Sequence, residues 1–203
     1  RATLKDGTPV AVKVQHPGIA EALEADLKNA SLVEMALNAT MGTGKFESKR
    51  LLEEMRERFR EELDYTLEAE RQTSFAEIHK DDSLVKVPKV FDELSSRRVL
   101  TSEFAEGKNF IEAREAPEED RRLWAATLWR FVYRSILVEG LFNADPHPGN
   151  YIFQPGGQVC FLDFGCIQPL GEDRRQDAIK LHKAAHERDM EAFKHYGARV
   201  LDT

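Results

Sequence analysis

The sequence has few cysteines, no long apolar run and no basic stripe, and each absence excludes a class of protein. Cys160 and Cys166 are the two cysteines among 203 residues, too few to form a disulfide framework. No run approaches the roughly 18 apolar residues of a membrane span. Lys and Arg are scattered in a chain of formal net charge −7, which argues against nucleic acid as a partner. We therefore expect a packed globular chain in a reducing compartment.

The segment ATLKDGTPVAVKVQ predicts a β-hairpin near the start of the sequence. Asp6 and Gly7 are typical turn residues between two extended runs. In the second run three valines alternate with Ala11 and Lys13, so the period of two places Lys13 on the face opposite the valines. A lysine isolated on an apolar strand is a candidate for contact with phosphate oxygens.

Two helices are predicted to follow the hairpin. Apolar residues at helical spacing indicate a helix over residues 18–40, which the segment MGTGK ends. A longer helix is expected over residues 48–79, with an apolar stripe on one face and Glu61, Asp64 and Glu68 close together on another. Either Glu61 or Glu68 could supply the acidic partner that Lys13 needs. Strands then return over residues 84–103.

The second half of the chain predicts mainly helices. The helix from Glu118 to Gly140 has apolar residues on several sides and is expected to be buried. A short hairpin and two further helices follow it. The order of elements predicts an α+β fold with two lobes, a small sheet lobe with extra helices over residues 1–103 and a mainly helical lobe over residues 110–203. Residues 104–109 form the predicted hinge.

Three polar side chains flank the predicted hairpin of the second half. Asp145 and Asn150 lie in the loop DPHPGN, and Asp163 follows the strand VCFL thirteen residues beyond Asn150. A hairpin between the two loops brings them together. Carboxylate and amide oxygens suit Mg²⁺ that bridges phosphates, and Asp145 could accept a proton from an attacking group. The alternative is an ordinary tight turn, because Asp, Pro, Gly and Asn are common turn residues.

The order of these motifs resembles that of protein-kinase-like phosphotransferases. VAVK is similar to the strand with the phosphate-binding lysine, D-x-x-x-x-N to the catalytic loop and DFG to the metal-binding triplet. The stretches VAVKVQHPG, EELDYTLEAE, ADPHPGN and FLDFG together resemble the UbiB-like atypical kinase family, also called the AarF or coenzyme Q kinase-like family. This resemblance runs from about residue 1 to 185 and implies a protein-kinase-like bilobal fold.

The resemblance implies a role for each motif residue. Lys13 would contact nucleotide phosphates and pair with Glu68. Asp145 would be the catalytic-loop acid, and Asn150 and Asp163 would bind Mg²⁺. The implied cofactors are therefore ATP or ADP and Mg²⁺.

Two further pairs of residues follow from the same resemblance. The backbone of Glu103 and Ala105, in the segment TSEFAE, would contact adenine. Glu62 and Asp64 match the E-x-D signature of the family, and their alternative is an ordinary solvated helix face.

The sequence departs from typical protein kinases in several places. Asn143 and Ala144 stand where His and Arg usually precede the catalytic Asp, and no A-P-E segment follows DFG. Lys13 and Glu68 are 55 residues apart, far more than in protein kinases. The K-x-G-Q helix and the alanine-rich nucleotide loop of the family are not found in the sequence. We therefore expect a small lobe that is incomplete at its N-terminus, with those parts upstream.

The resemblance implies a Mg²⁺-dependent atypical kinase or ATPase that supports isoprenoid quinone (ubiquinone) biosynthesis. Its expected partners are a nucleotide and a lipid or quinone precursor at a membrane surface. The expected location is cytoplasmic or membrane-associated, on a face that resembles the cytosol or a matrix. The alternatives are a small-molecule kinase that resembles aminoglycoside and choline kinases, and a pseudokinase scaffold that binds nucleotide.

Overall fold

A computed structural model describes residues 1–25, 27–29 and 45–201 of the chain. The strands are β1 (Ala2–Thr3), β2 (Pro9–Val14), β3 (Val85–Lys86), β4 (Val99–Glu103), β5 (Leu141–Asn143), β6 (Tyr151–Phe153), β7 (Val159–Phe161) and β8 (Ile167–Pro169). The helices are α1 (residues 19–25 and 27–29), α2 (Lys45–Glu62), α3 (Tyr65–Ile78), α4 (Phe110–Arg114), α5 (Glu118–Tyr133), α6 (Glu172–Glu187) and α7 (Met190–Leu201). The predicted α+β class is confirmed.

The chain divides into two compact units. The first contains Arg1–Arg71 and Lys89–Phe104, and the second contains Gln72–Pro88 and Ala105–Thr203. The change of unit after Phe104 falls at the start of the predicted hinge. Residues 72–88, which the prediction assigned to the small lobe, are grouped with the second unit instead, because the second half of α3 and β3 pack into its core.

The first unit contains the predicted hairpin. Strands β1 and β2 pair antiparallel with Ala2 opposite Val10, and β2 pairs with β4 on its other side. Gly7 has a φ of 93°, which a glycine adopts without strain. The Leu4 N–H donates to the Thr8 carbonyl at 2.9 Å and closes the turn. The register of β2 is therefore fixed by local turn chemistry.

The single helix predicted over residues 48–79 is wrong, because α2 ends at Glu62 and α3 begins at Tyr65. The Asp64 carboxylate accepts a hydrogen bond from the Thr66 N–H at 3.1 Å and so caps the start of α3. A bond from the Thr66 hydroxyl lowers the pKa of Asp64. The Tyr65 N–H donates to the Arg97 carbonyl at 3.1 Å instead of to a helical partner, so a contact distant in sequence breaks the helix.

The helix predicted over residues 18–40 is present where the structure describes it. Residues 19–25 and 27–29 are helical. The remainder of that prediction, and residues 41–44 of the break predicted at MGTGK, lie outside the described residues. Lys45, the last residue of the predicted break, is already the first residue of α2.

The second unit contains two small sheets. Strand β7 lies between β3, to which it is parallel, and β6, to which it is antiparallel. Strands β5 and β8 form a separate antiparallel pair. The core beneath them is largely aromatic and contains Phe75, Trp124, Phe131, Phe153, Phe161 and Phe164. These strands hold the loops that precede β6 and follow β7.

The predicted buried helix 118–140 is α5 followed by a π-helical turn, Arg134–Val138. Trp124 and Phe131 are buried, whereas Trp129 is 59% exposed. The helix therefore buries one face against the core of the second unit and leaves the other to solvent, so the prediction of a fully buried helix is wrong.

His79, which follows α3, is a titratable group buried in the second unit. It is 2% exposed, and its ring lies 4.8 Å from that of Phe131. Its Nε2 lies 3.2 Å from the Ser135 hydroxyl, and its Nδ1 has no hydrogen-bond partner among the described residues. Burial lowers the pKa of His79 from 6.5 to about 4, and the nearby charge of Arg134 acts in the same direction. The folded chain therefore holds this imidazole neutral.

We expect His79 to make the chain sensitive to acid. Because its folded pKa lies below its unfolded value, the unfolded chain binds the extra proton between pH 6.5 and about 4. The contribution of His79 to the free energy of unfolding is therefore fully present above pH 6.5. It is lost as the pH falls towards 4, and the free energy of unfolding then decreases by on the order of 3 kcal/mol. Urea unfolding of the wild type and of His79→Gln across this range measures the effect.

The informative quantity is the difference in pH dependence between the two proteins. His79→Gln should flatten the decline below pH 6.5, whereas His186→Gln, at an exposed position on α6, should not. If the free energy of unfolding of wild type and of His79→Gln fell in parallel with pH, His79 would not be the source of the acid sensitivity.

Candidate functional site

The first unit contains an ion pair between β2 and α3. Lys13 Nζ donates to both carboxylate oxygens of Glu68, at 2.9 and 2.8 Å. Glu68 is 4% exposed, whereas the Lys13 side chain is 43% exposed. The pair predicted between these residues is therefore present, and the lysine is its more exposed member.

The other predicted partner of Lys13 is occupied elsewhere. Glu61 accepts hydrogen bonds from Arg71 at 2.9 Å and from Arg58 at 3.3 Å. The bond from Arg71 is the main reason that the pKa of Glu61 is lowered. The choice that the sequence left open between Glu61 and Glu68 is thus decided in favour of Glu68.

Packing explains why Lys13 and Glu68 meet. Tyr65 and Ala69, one turn apart on α3, pack in a small core with Leu100 of β4. Lys13 is the register partner of Leu100 on β2, and its Nζ lies 4.9 Å above the Tyr65 ring. The same helix face therefore supplies both the apolar contact and the carboxylate.

The second unit brings together the two loops that contain the predicted acidic and amide residues. Strands β6 and β7 pair with Tyr151 opposite Phe161, and the Leu162 N–H donates to the Asn150 carbonyl at 3.0 Å. Asp163 is the next residue after Leu162. The hairpin predicted between the two loops is confirmed, and it aligns Asn150 with the start of the DFG triplet.

Hydrogen bonds hold the acidic and amide side chains in place. Asn150 Nδ2 donates to Asp145 Oδ2 at 2.9 Å, and the carboxamide oxygen of Asn150 has no hydrogen-bond partner among the described residues. The His147 N–H donates to Asp145 Oδ1 at 3.3 Å. Asp163 Oδ1 accepts from the Gly165 N–H at 2.9 Å. Asn150 therefore holds the Asp145 carboxylate through its side-chain nitrogen.

Asn143 also belongs to this arrangement, although the sequence motifs do not assign it a role. Its Nδ2 donates to the Asp163 carbonyl at 3.0 Å, and its Oδ1 accepts from the Asp145 N–H at 3.1 Å. One carboxamide thus ties the loop of Asp145 to the loop of Asp163. The available signal was its position, since Asn143 is the polar end of the short strand β5, two residues before Asp145.

The oxygen donors of the second unit fit a divalent cation that is shared with phosphate. Asn150 offers an amide oxygen and Asp163 a carboxylate. In the described part of the chain, no group of three or more His, Cys, Asp and Glu side chains is arranged to hold a metal ion. Mg²⁺ in kinase-type sites takes one or two carboxylates, with substrate phosphates and water completing its shell. The donor set suits such an ion better than a metal enclosed by protein ligands.

The remaining predicted residues make other contacts. Asp64 caps α3, and one of its oxygens lies 3.5 Å from Arg97 Nε. Glu62 is exposed at the end of α2. The Glu103 N–H, at the end of β4, donates to the Lys89 carbonyl at 2.8 Å. Ala105 opens the second unit.

Comparison with known proteins identifies the class as a kinase-like α+β domain. A solved structure from Mycobacterium tuberculosis, described as the complex of Rv3197 with erythromycin, has a TM-score of 0.78 and 31% identity. The match covers 96% of this chain and 49% of that one. The family model of the ABC1 atypical kinase-like domain matches residues 1–197. The chain belongs to this family, as its resemblance to UbiB-like kinases predicted.

Curated relatives agree with this assignment. A chloroplastic ACTIVITY OF BC1 COMPLEX KINASE 3 from Arabidopsis thaliana is 34% identical over 83% of the chain, and AarF domain-containing protein kinase 1 from Xenopus tropicalis is 32% identical over 98%. Mitochondrial atypical kinase COQ8B from Rattus norvegicus is 30% identical over 93%. The matches span 24%, 39% and 36% of these relatives. Within the described residues, no helix has the length and apolarity needed to cross a bilayer.

We expect Lys13→Met to lower the free energy of unfolding by about 2 kcal/mol, because it leaves the buried Glu68 carboxylate without its cation. The double variant Lys13→Met/Glu68→Leu should recover much of this loss, since both charged groups are then absent. Urea unfolding measures the resulting double-mutant cycle.

Lys80→Met is the matched control, because Lys80 pairs with Glu77 on the surface. Exposed pairs of this kind contribute little to stability, so little change is expected. Strictly additive effects of the substitutions at positions 13 and 68 would contradict a coupled pair.

Proposed function

We propose that this chain is the nucleotide-binding domain of a Mg²⁺-dependent atypical kinase or ATPase that uses ATP. The observation that carries the proposal is that Asn150 holds the Asp145 carboxylate while Asn143 ties the loop of Asp145 to the loop of Asp163. A carboxylate, an amide oxygen and a second carboxylate are the residue types that kinase chemistry uses. The Lys13–Glu68 pair supports it as a preformed cation for phosphate oxygens. Membership of a family described as atypical kinase-like is consistent with both.

In this proposal the acidic and amide residues divide two tasks. The Asn150 oxygen and the Asp163 carboxylate would hold Mg²⁺, which neutralises charge on the phosphates when it is bound. Asp145, oriented by Asn150, would accept the proton of an attacking hydroxyl or water. The new oxygen–phosphorus bond forms at the γ-phosphate as the bond to the β–γ bridging oxygen breaks, and ADP leaves. Asn143 would keep the Asp145 backbone in place during this step.

The first unit would contribute phosphate binding and helix position. Lys13 would contact phosphate oxygens while Glu68 holds its ammonium group. The Asp64 carbonyl accepts a hydrogen bond from the Glu68 N–H at 3.4 Å, so we assign Asp64 of the E-x-D signature to the start of the helix that contains Glu68. The backbone of Glu103 and Ala105 would contact adenine.

For the whole protein we propose a role in isoprenoid quinone biosynthesis, with a lipid or quinone precursor as a partner at a membrane surface. Support comes from the UbiB-like motifs and from relatives described as chloroplastic or mitochondrial kinases. A location on a cytosol-like or matrix-like face agrees with the two cysteines, neither of which is in a disulfide.

Asp163→Asn should weaken binding of Mg·ATP by about tenfold or more, because it removes an anionic ligand from a hard-cation site. Binding of ATP in EDTA should change little, since the lost contact is to the metal. Isothermal titration calorimetry with and without Mg²⁺ makes this comparison. Asp173→Asn, an equal charge change at an exposed position on α6, is the control. Unchanged Mg·ATP affinity in Asp163→Asn would exclude Asp163 as a ligand.

Asp145→Asn should abolish ATP turnover while leaving Mg·ATP affinity within a few fold, because Asp145 is assigned to proton transfer and not to metal binding. Phosphate release, measured with and without hydroxyl acceptors, separates a kinase from an ATPase. A wild-type chain that binds Mg·ATP and never turns it over would support the scaffold alternative instead.

A further inference from the structure

The first unit contains a cavity of about 240 Å³ that the proposed function does not use. It lies between α1 and α2, beside the residue that follows β2 and the turn that precedes β4. Gln15, two residues after Lys13, lines it and donates a hydrogen bond to the Leu63 carbonyl at 2.9 Å. The wall of the cavity is therefore joined to the same strand that contains Lys13.

One part of the cavity wall is apolar. Leu23 and Leu27 stand one turn apart on α1, and Phe59 and Leu63 stand one turn apart where α2 ends. Leu27 is 6% exposed and the other three are half-buried. Side chains four residues apart lie on one helix face, so two apolar faces border the same space.

The other part of the wall is formed by arginines. Arg56 and Arg60 lie one turn apart on α2, and Arg97 and Arg98 come from the turn before β4. Arg97 pairs with Asp64. Among the described residues, no carboxylate lies within ion-pair distance of Arg56, Arg60 or Arg98.

This accumulation of positive charge is local. The lining contains four arginines and a single acidic side chain, Glu24, whereas the whole chain has a net charge of −7. Like charges one turn apart on a helix are destabilising. A bound anion would relieve that repulsion and provide the guanidinium groups with acceptors.

We propose that this cavity binds an anionic amphiphile, a single apolar chain with a phosphate or carboxylate head group. Guanidinium groups match the geometry of such oxyanions and can bind them through paired hydrogen bonds. The apolar wall would remove the chain from water. A volume of 240 Å³ equals that of about eight water molecules, which accommodates a head group and a short apolar segment.

The chemistry of the wall argues against simpler ligands. An inorganic anion would engage the arginines but leave the half-buried Leu23, Phe59 and Leu63 in contact with water. A neutral lipid would cover the apolar wall but leave Arg56 and Arg60 without an anionic partner among the described residues. A ligand with both parts matches the whole lining.

The first test compares head group and chain on the wild-type chain, without nucleotide, by calorimetry below micelle-forming concentrations. Octyl phosphate should bind at least about tenfold more tightly than either inorganic phosphate or octyl glucoside. Octanoate, measured in the same way, shows whether the arginines prefer phosphate or carboxylate. Equal affinity for octyl phosphate and octyl glucoside would overturn the proposal. Since no nucleotide is present, this result is independent of the kinase proposal.

Variants then test the location. Arg56→Gln/Arg60→Gln should weaken the binding of octyl phosphate by about tenfold or more and leave the affinity for octyl glucoside unchanged. Ala20→Phe should reduce binding of octyl phosphate by filling the cavity that Ala20 lines. Arg58→Gln is the matched control on the same helix, because Arg58 is outside the lining and pairs with Glu61.

Wild-type affinity for octyl phosphate in both the double arginine variant and Ala20→Phe would overturn the assignment to this cavity. Circular dichroism melting confirms that each variant is folded. If the double variant does not fold, the affinities of Ala20→Phe and Arg58→Gln for octyl phosphate are compared instead. Weaker binding in Ala20→Phe alone would place the ligand in this cavity.

Discussion

A carboxylate that folding removes from water has to be neutralised, and the arrangement of the first unit depends on how this is done for Glu68. Transfer of an unpaired carboxylate into a protein interior is strongly unfavourable. Lys13 donates to both oxygens of Glu68 and so joins β2 to α3. Since replacing such a pair by apolar residues is often neutral or stabilising, we infer that the pair is important chiefly for position, because it presents an ammonium group at a defined place.

Helix α3 contributes residues to the cores of both units. Tyr65 and Ala69 belong to the core of the first unit, and Glu68 lies between them in sequence. Its later residues belong to the second unit, where the Phe75 ring lies 5.1 Å from that of Phe164. The start of α3 is set by the cap at Asp64. A shift of the helix by one residue would therefore alter the contacts of both Glu68 and Phe75.

Much of this arrangement could be predicted from the sequence because its causes are local. The turn at Gly7 fixes the first hairpin, and the loop DPHPGN, the strand VCFL and DFG predicted the alignment of Asn150 with Asp163. The break between α2 and α3 could not be predicted, because the apolar period continues through Leu63 and the competing partner is the distant carbonyl of Arg97. The cavity arginines likewise come from segments about 40 residues apart in sequence, and a pattern along one helix does not reveal such a cluster.

Asn143 shows what the departure from His-Arg-Asp achieves chemically. A carboxamide donates and accepts at the same time, and it does both without titrating. It donates to the Asp163 carbonyl and accepts from the Asp145 N–H. A histidine at this position could also bond both groups, but its charge and its acceptor capacity would change near neutral pH. The connection between the two loops is therefore independent of pH over the range in which an imidazole would titrate.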